Sequence, residues 1–313
     1  MKRDTIGRII LDNYKTIDNY TIGRKEKTWI MIDNKKYLFK TGASNYEIYA
    51  ELISSELARQ CGFRTATYDL AILNGKTGVL TPSFLEFGDT IISGRKYLEY
   101  AKEVALENNM YMDFKENSIE NILNAVAILD GKNSLIDSIN IILNQLLEIW
   151  FFDITIMESD RNNTNWSLIK NLDGNIQMAP IYDCSTMARM NTNIDSLVKN
   201  LRFNDQLYNI TDSIQYSLKI QNVDSNYYKD VEYLTMYFYE QTKAIIESLS
   251  KIDVNKAIFD IEKRINEHTS DDKKFEIPYS VKIWLEKSIG LRLDIIKNIF
   301  KNTERKMFDE KTK

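Results

Sequence analysis

The 313 residues are 43% hydrophobic and 27% charged, with a net charge of −4 and a pI near 5.4. Such a chain can bury a substantial core and has room for two domains, while its acidic balance argues against a nucleic-acid partner. Two cysteines, Cys61 and Cys184, are too few for a disulfide framework, and the single histidine, His268, excludes a multi-histidine metal site. His268 lies in the polar run Asn266-Glu267-His268-Thr269-Ser270 and reads as a surface residue. Any catalysis must therefore rest on carboxylates, amides and lysines, an inventory suited to hard, oxygen-binding Mg²⁺.

The first residues, Met1-Lys2-Arg3-Asp4, lead into no apolar signal region, and no apolar run approaches the roughly 20 residues of a membrane span. A cytoplasmic protein is expected, or an effector exported without a classical signal peptide. Strand patterns at 28–32 and 36–40 flank Asp33-Asn34-Lys35, and strand patterns at 68–73 and 77–81 flank Asn74-Gly75-Lys76; both are hairpin signals. Between the hairpins, 45–62 has apolar residues recurring every three or four positions, Ser44 or Asn45 to cap it and Gly62 to close it. This order predicts a small antiparallel sheet with one packed helix.

Past Gly88 the pattern turns helical, with helices expected at 97–109, 119–129 and 135–152. Asp173-Gly174 marks a third hairpin, between 166–169 and 176–179. Long helices are expected at 228–250, 254–266 and 281–301, with 303–313 fraying. Pro82, Pro180 and Pro278 all fall where an element ends. The expectation is an α+β architecture of two lobes: a β-rich lobe over 1–88, then a larger helical lobe over 89–313.

Asp160, Asn165 and Asp183 form the sharpest chemical set. Asp160 follows a long apolar helix and the tail Phe151-Phe152-Asp153-Ile154-Thr155-Ile156-Met157, and six polar residues then precede a strand. Asp160 and Asn165 stand five positions apart, a spacing that lets a loop aim a carboxylate at a hydroxyl while an amide oxygen reaches a metal. Asp183 comes 18 residues after Asn165, with one hairpin between. Lys40 ends a strand, where it is either solvated or turned into a cleft to meet phosphate oxygens. Glu47 and Glu51 share a helix face and either could hold it. Gly23, Arg24 and Lys27 belong to a basic loop that is either plain surface or a cover for nucleotide phosphates; with one glycine it matches no phosphate-loop pattern. The connection at 82–87, with Ser83, Phe84, Leu85 and Glu86, is a plain linker, a hinge offering backbone groups to an adenine edge, or both.

At these residues the chain resembles the HipA-like protein kinases, a bacterial Ser/Thr kinase family related in fold to phosphatidylinositol kinases. The resemblance runs from about Gly23 to Asp183. It rests on Lys35-Lys36-Tyr37-Leu38-Phe39-Lys40, on the Glu51 to Phe63 helix pattern, on Gly78 to Phe84, and on the Asp160 and Asp183 motifs. It implies a bilobal kinase fold, ATP and Mg²⁺ as cofactors, Asp160 as catalytic base and Asn165 and Asp183 as metal ligands. It also favours Glu51 over Glu47 as the Lys40 partner. Leu168 and Ile181 would floor the adenine site, and Ser185, Thr186 and Thr192, in the segment 184–200 that would be the activation-loop equivalent, would be candidate phosphorylation sites. Family members commonly carry a histidine where Asn162 stands; an amide can replace its hydrogen bonds but not imidazole chemistry. The chain resembles the shorter, single-domain members, without the DNA-binding partner of the full-length toxins. The expected activity is phosphoryl transfer from ATP to a protein hydroxyl, autophosphorylation included. The alternatives are a lipid or small-molecule kinase on the same scaffold and a nucleotide-binding pseudokinase.

Overall fold

The computed structural model describes residues 3–4, 7–11, 15–20, 27–112, 114, 116–130, 135–199, 204–221, 226–267 and 274–309. The chain divides into two compact units, each assembled from three separated segments. The first comprises Met1–Phe84, Pro180–Asp212 and Ile252–Gly290; the second comprises Leu85–Ala179, Ser213–Lys251 and Leu291–Lys313.

The first unit is built on a six-stranded sheet of β1 (Ile9–Ile10), β2 (Lys15–Tyr20), β3 (Lys27–Ile32), β4 (Lys35–Thr41), β5 (Asp69–Leu73) and β6 (Lys76–Pro82), in the order β1-β5-β6-β4-β3-β2. Both hairpins expected from sequence are present. Asp33 and Asn34 have φ of 48° and 60°, and Asn74 and Gly75 have 50° and 78°. Paired positive φ values make turns whose twist matches that of the flanking strands, which is why Asn and Gly occupy them. The sheet is not purely antiparallel, because the two-residue β1 joins β5 in parallel. One face buries Ile9, Leu11, Ile30, Phe39, Ala71, Leu73 and Leu80.

Helix α1 (Asn45–Cys61) has the caps its sequence specifies. The Ser44 hydroxyl accepts from the Glu47 amide at 3.4 Å, and the Glu47 carboxylate accepts from the Ala43 amide at 3.1 Å. At the other end Gly62, at φ 80°, donates to Arg59 O while Phe63 donates to Ala58 O, both at 3.0 Å. This double closure needs a left-handed residue, the conformation that glycine adopts without penalty. Helix α1 packs against α9 (Val254–Asn266), and the Gln60 amide exchanges two hydrogen bonds with the Asp253 backbone. The later segments of this unit also contain α5 (Ile194–Lys199), α6 (Asn204–Asp212) and the first part of α10 (Tyr279–Asp309).

In the second unit, β7 (Thr90–Ser93), β8 (Ser167–Lys170) and β9 (Ile176–Met178) form a small antiparallel sheet. The β8–β9 hairpin follows the expectation from Asp173-Gly174, whereas β7 was not anticipated. Around the sheet lie α2 (Gly94–Glu107), α3 (Ile119–Asp130), α4 (Leu135–Ile156), α7 (Tyr227–Tyr237), α8 (Tyr239–Leu249) and the rest of α10. Helix α4 buries Leu146, Leu147, Trp150, Phe151 and Phe152. Its window Ile139–Ile156 is long and apolar enough to cross a membrane, a length the sequence reading did not credit, and 61% of it is buried inside the protein.

Two other expectations need correction. The single helix over 228–250 is two, broken at Phe238, whose φ of −134° and ψ of 49° leave the helical region. The C-terminal helix does not stop near 301 but continues to Asp309, with Phe300 and Thr303 buried on one side. A side chain added at Gly62 would meet nothing within 4 Å, so Gly62→Ala tests the backbone cost alone. The expected loss is about 1 kcal/mol of unfolding free energy, read from urea denaturation with an unchanged m-value.

Candidate active site

Lys40 is not a solvated strand end. Only 5% exposed, it directs its ammonium from β4 to the carboxylate of Glu51 on α1. Glu47, the other candidate, is used at the helix N-terminus instead. Lys40 also donates to Asp183 Oδ1, and Lys27 of β3 donates to Asp183 Oδ2 at 3.2 Å. Four charged side chains, two lysines and two carboxylates, thus share one cluster within the first unit, with Lys40 and Glu51 buried and Lys27 and Asp183 partly exposed.

The Asp183 segment is fastened by backbone pairing. The Ala66 amide donates to Ile181 O at 2.9 Å and the Ile181 amide to Arg64 O at 2.8 Å. Tyr182 stacks on Phe84 at 6.2 Å between ring centroids. Asp183 has φ of 60°, a left-handed conformation uncommon outside glycine, and its amide donates to the Tyr68 hydroxyl at 3.3 Å. Strained backbone of this kind persists where surrounding contacts hold it.

Burial pushes the Asp183 carboxyl up, but the Lys40 and Lys27 ammoniums outweigh it and hold the group well below the usual carboxylate range. Burial likewise pulls the Lys40 ammonium down, and the attraction of Glu51 and Asp183 outweighs it, leaving Lys40 above the ordinary lysine range. Burial, reinforced by the Glu51 and Asp183 charges, raises the Tyr68 hydroxyl well above its ordinary value, so it stays a neutral phenol. Lys40 and Asp183 are therefore both charged at neutral pH.

In the second unit, Asp160, Asn162 and Asn165 gather in the loop after α4. The Asn162 amide donates to Asp160 Oδ1 at 2.7 Å, and Asn165 Nδ2 donates to Asp160 O at 2.6 Å and to Asp160 Oδ2 at 3.2 Å. Asn162 Oδ1 in turn accepts from the Thr164 amide at 2.9 Å and the Thr164 hydroxyl at 2.5 Å. Asn162 thus serves here as a loop organiser whose two ends orient Asp160 and turn the chain.

The loop hangs from a buried ion pair that the sequence reading missed. Arg161 Nε and Nη2 donate to the two oxygens of Asp153 at 2.9 Å each, and Arg161 Nη1 donates to Asn165 O at 2.8 Å. Burial pushes the Asp153 carboxyl up while the bidentate guanidinium pulls it back. Asn117 donates to Arg161 O at 2.6 Å and accepts from the Trp166 indole at 3.0 Å. The signal was legible: Asp153 is a lone carboxylate inside an apolar helix end, eight residues before an arginine.

Gly23, Arg24 and His268 lie outside the described residues. The Ser83 amide donates to Lys36 O at 2.8 Å, and the Glu86 amide to Asp89 Oδ2 at 3.0 Å. Leu85 and Glu86 fall in the second unit and Ser83 and Phe84 in the first, so the division of the chain runs through the connection. Leu168 is buried in β8 opposite Ile92 and Met178, and Ile181 is buried in the first unit. Ser185 is buried, Thr186 half-buried and Thr192 exposed.

Neither a protein-family model nor a curated protein sequence matches the chain. Solved structures do. The Helicobacter pylori proinflammatory kinase CtkA superposes with a TM-score of 0.71 at 17% identity, over 95% of this chain and 98% of that one. HipA of Shewanella oneidensis, solved with HipB and its operator DNA, gives 0.51 at 13% identity, over 92% of this chain and 67% of that one. The chain has the HipA-like kinase fold expected from its motifs.

The shifts set a pH window for the cluster. A depressed carboxyl stabilises the fold above its unfolded value, about pH 4, and loses that contribution as pH falls towards the folded value. A raised ammonium contributes fully below its unfolded value, about pH 10.5, and loses that contribution as pH rises through the folded one. Asp183→Asn should therefore cost about 3–5 kcal/mol, constant in urea titrations from about pH 5 to 9 and shrinking below about pH 4.

Proposed function

We propose that the protein is an ATP- and Mg²⁺-dependent protein Ser/Thr kinase. The observation that carries this reading is the buried Lys40–Glu51–Asp183 cluster on a kinase-like fold. A lysine and two carboxylates removed from water are costly to maintain and serve structure poorly compared with apolar packing. They suit a site whose ammonium and carboxylate are to meet phosphates and a cation.

The donor chemistry fits Mg²⁺. Among the described residues no three His, Cys, Asp or Glu side chains gather as a self-sufficient metal site. Mg²⁺ is ordinarily held by one or two protein groups together with substrate phosphates; an ionised Asp183 would be one, and the amide oxygen of Asn165, in the second unit, is proposed as the other. Asn165 spends its amide nitrogen on Asp160, and its amide oxygen, which accepts from the Thr164 hydroxyl at 3.4 Å, would be the ligating atom. Bound with ATP, Mg²⁺ would neutralise charge on the phosphates.

The chain's own groups divide the remaining work. Lys40, fixed by Glu51, would contact the non-transferred phosphates, and Lys27 would add a second positive charge. Ser83, Phe84, Leu85 and Glu86 would face the adenine edge, with Leu168 and Ile181 as apolar floor. Asp160, held on both oxygens by Asn162 and Asn165, would orient the acceptor hydroxyl and take its proton. A loose transition state places the burden on positioning, and the amide-braced loop positions Asp160 without imidazole. Among the candidate phosphorylation sites Thr192 is the exposed one. Given α4's burial, a cytoplasmic protein remains the proposal for location.

The expected outcome of a labelled-ATP assay is transfer to protein acceptors or to the chain itself, reduced by at least about 100-fold in Asp160→Asn. Asp183→Asn should abolish transfer at Mg²⁺ concentrations that saturate the wild type. Equal transfer by all three proteins would overturn the reading. Protein, inositol-lipid and sugar acceptors assayed side by side separate it from a lipid or small-molecule kinase, and calorimetric ATP binding without transfer would mark a pseudokinase.

A further inference from the structure

The sheet of the first unit carries a second concavity on the face opposite Lys40. Successive residues of β6 point to opposite faces: Val79 lies beside Lys40, while Leu80 lines a cavity of about 520 Å³. Tyr37 and Pro82, a register pair, and Ile9 complete its apolar wall. The volume lies in the range of small-ligand sites.

Its charge is unbalanced. Arg3 and Asp69 both line it and neutralise each other in a bidentate pair, at 3.2 and 2.6 Å. Arg264, from α9, also lines it. The only hydrogen bond it makes among the described residues runs from Nη2 to Tyr68 O at 3.2 Å, and its Nε is buried without a partner there. A guanidinium carries five N–H donors; Arg264 spends one on Tyr68 O and lines the cavity, so its outer donors remain for a ligand oxygen there. Thr67 sits exposed on the lining, and the hydroxyl-bearing Tyr37 offers a further polar contact.

We infer that this cavity is a second ligand site, distinct from the Lys40 cluster, for a small molecule bearing a phosphate or carboxylate on a flat apolar body. The anion would sit on Arg264, and the body against Tyr37, Leu80 and Pro82.

The test needs neither nucleotide nor activity. Calorimetry with 1-naphthyl phosphate should show saturable binding at one site per chain, with 1-naphthol about tenfold weaker. Arg264→Met removes the charge and retains the aliphatic stem, and should erase that difference. Thr67→Trp, at an exposed position, should obstruct the cavity and lower affinity at least about tenfold while the thermal transition is kept. Lys27→Met, on the Lys40 face, should leave affinity within about twofold. The site is refuted by absence of saturable binding, by equal affinity in Thr67→Trp, or by loss of binding in Lys27→Met.

Discussion

A lysine ammonium and two carboxylates have been taken out of water together, and much of the first unit is arranged around that fact. Dehydrating any one of them costs several kcal/mol, and only mutual pairing compensates. The pairing requires β4, α1 and the strand-like segment ending at Asp183 to meet within side-chain reach. Other features serve this meeting. The caps of α1 set where Glu51 stands, the pairing of Ile181 with residues 64–66 sets where Asp183 stands, and the Tyr68 hydroxyl receives an amide from a backbone turned into the left-handed region.

The second unit solves a similar problem with a different device. Its polar loop carries the groups proposed to handle the acceptor, and the loop would have many conformations were it tethered only at its ends. Arg161 removes that freedom by reaching back to Asp153 in the preceding helix while also holding the carbonyl of Asn165. Asn162 then sets the carboxylate itself. Orientation through amide and guanidinium donors is independent of pH in the physiological range, which a histidine at the same place would not be.

The features legible in the sequence were those specified by neighbours along the chain. Asn74-Gly75 and Asp33-Asn34 demand positive φ, and their hairpins form; Ser44, Glu47 and Gly62 cap α1 at the expected ends. The spacing of Asp160 and Asn165 was visible, and the structure ties the two side chains together. What escaped was decided by packing between distant segments. Strand β7 exists because Thr90–Ser93 pairs with Ser167–Lys170, a partner some 75 residues away. The break at Phe238 interrupts a continuous helical pattern without proline or glycine. Glu51 and Glu47 are equivalent by helix periodicity and were distinguished only by family resemblance; in the structure one serves the cap and the other the lysine.

The discontinuity of the first unit bears on how the protein is made. Its sheet and α1 are complete by Phe84, but Asp183 and the helix against which α1 packs come later, the last segment ending at Gly290. Ribosomes add roughly 5–20 residues each second, so about 10–40 s separate the sheet from its final segment. For about the first 5–20 s of it the nascent lysine and glutamate have no aspartate to complete them, and for longer the apolar side of α1 that α9 later covers is open to chaperones. Native closure of this unit is therefore a late event in translation, placed after the intervening stretch, Leu85–Ala179, has already emerged.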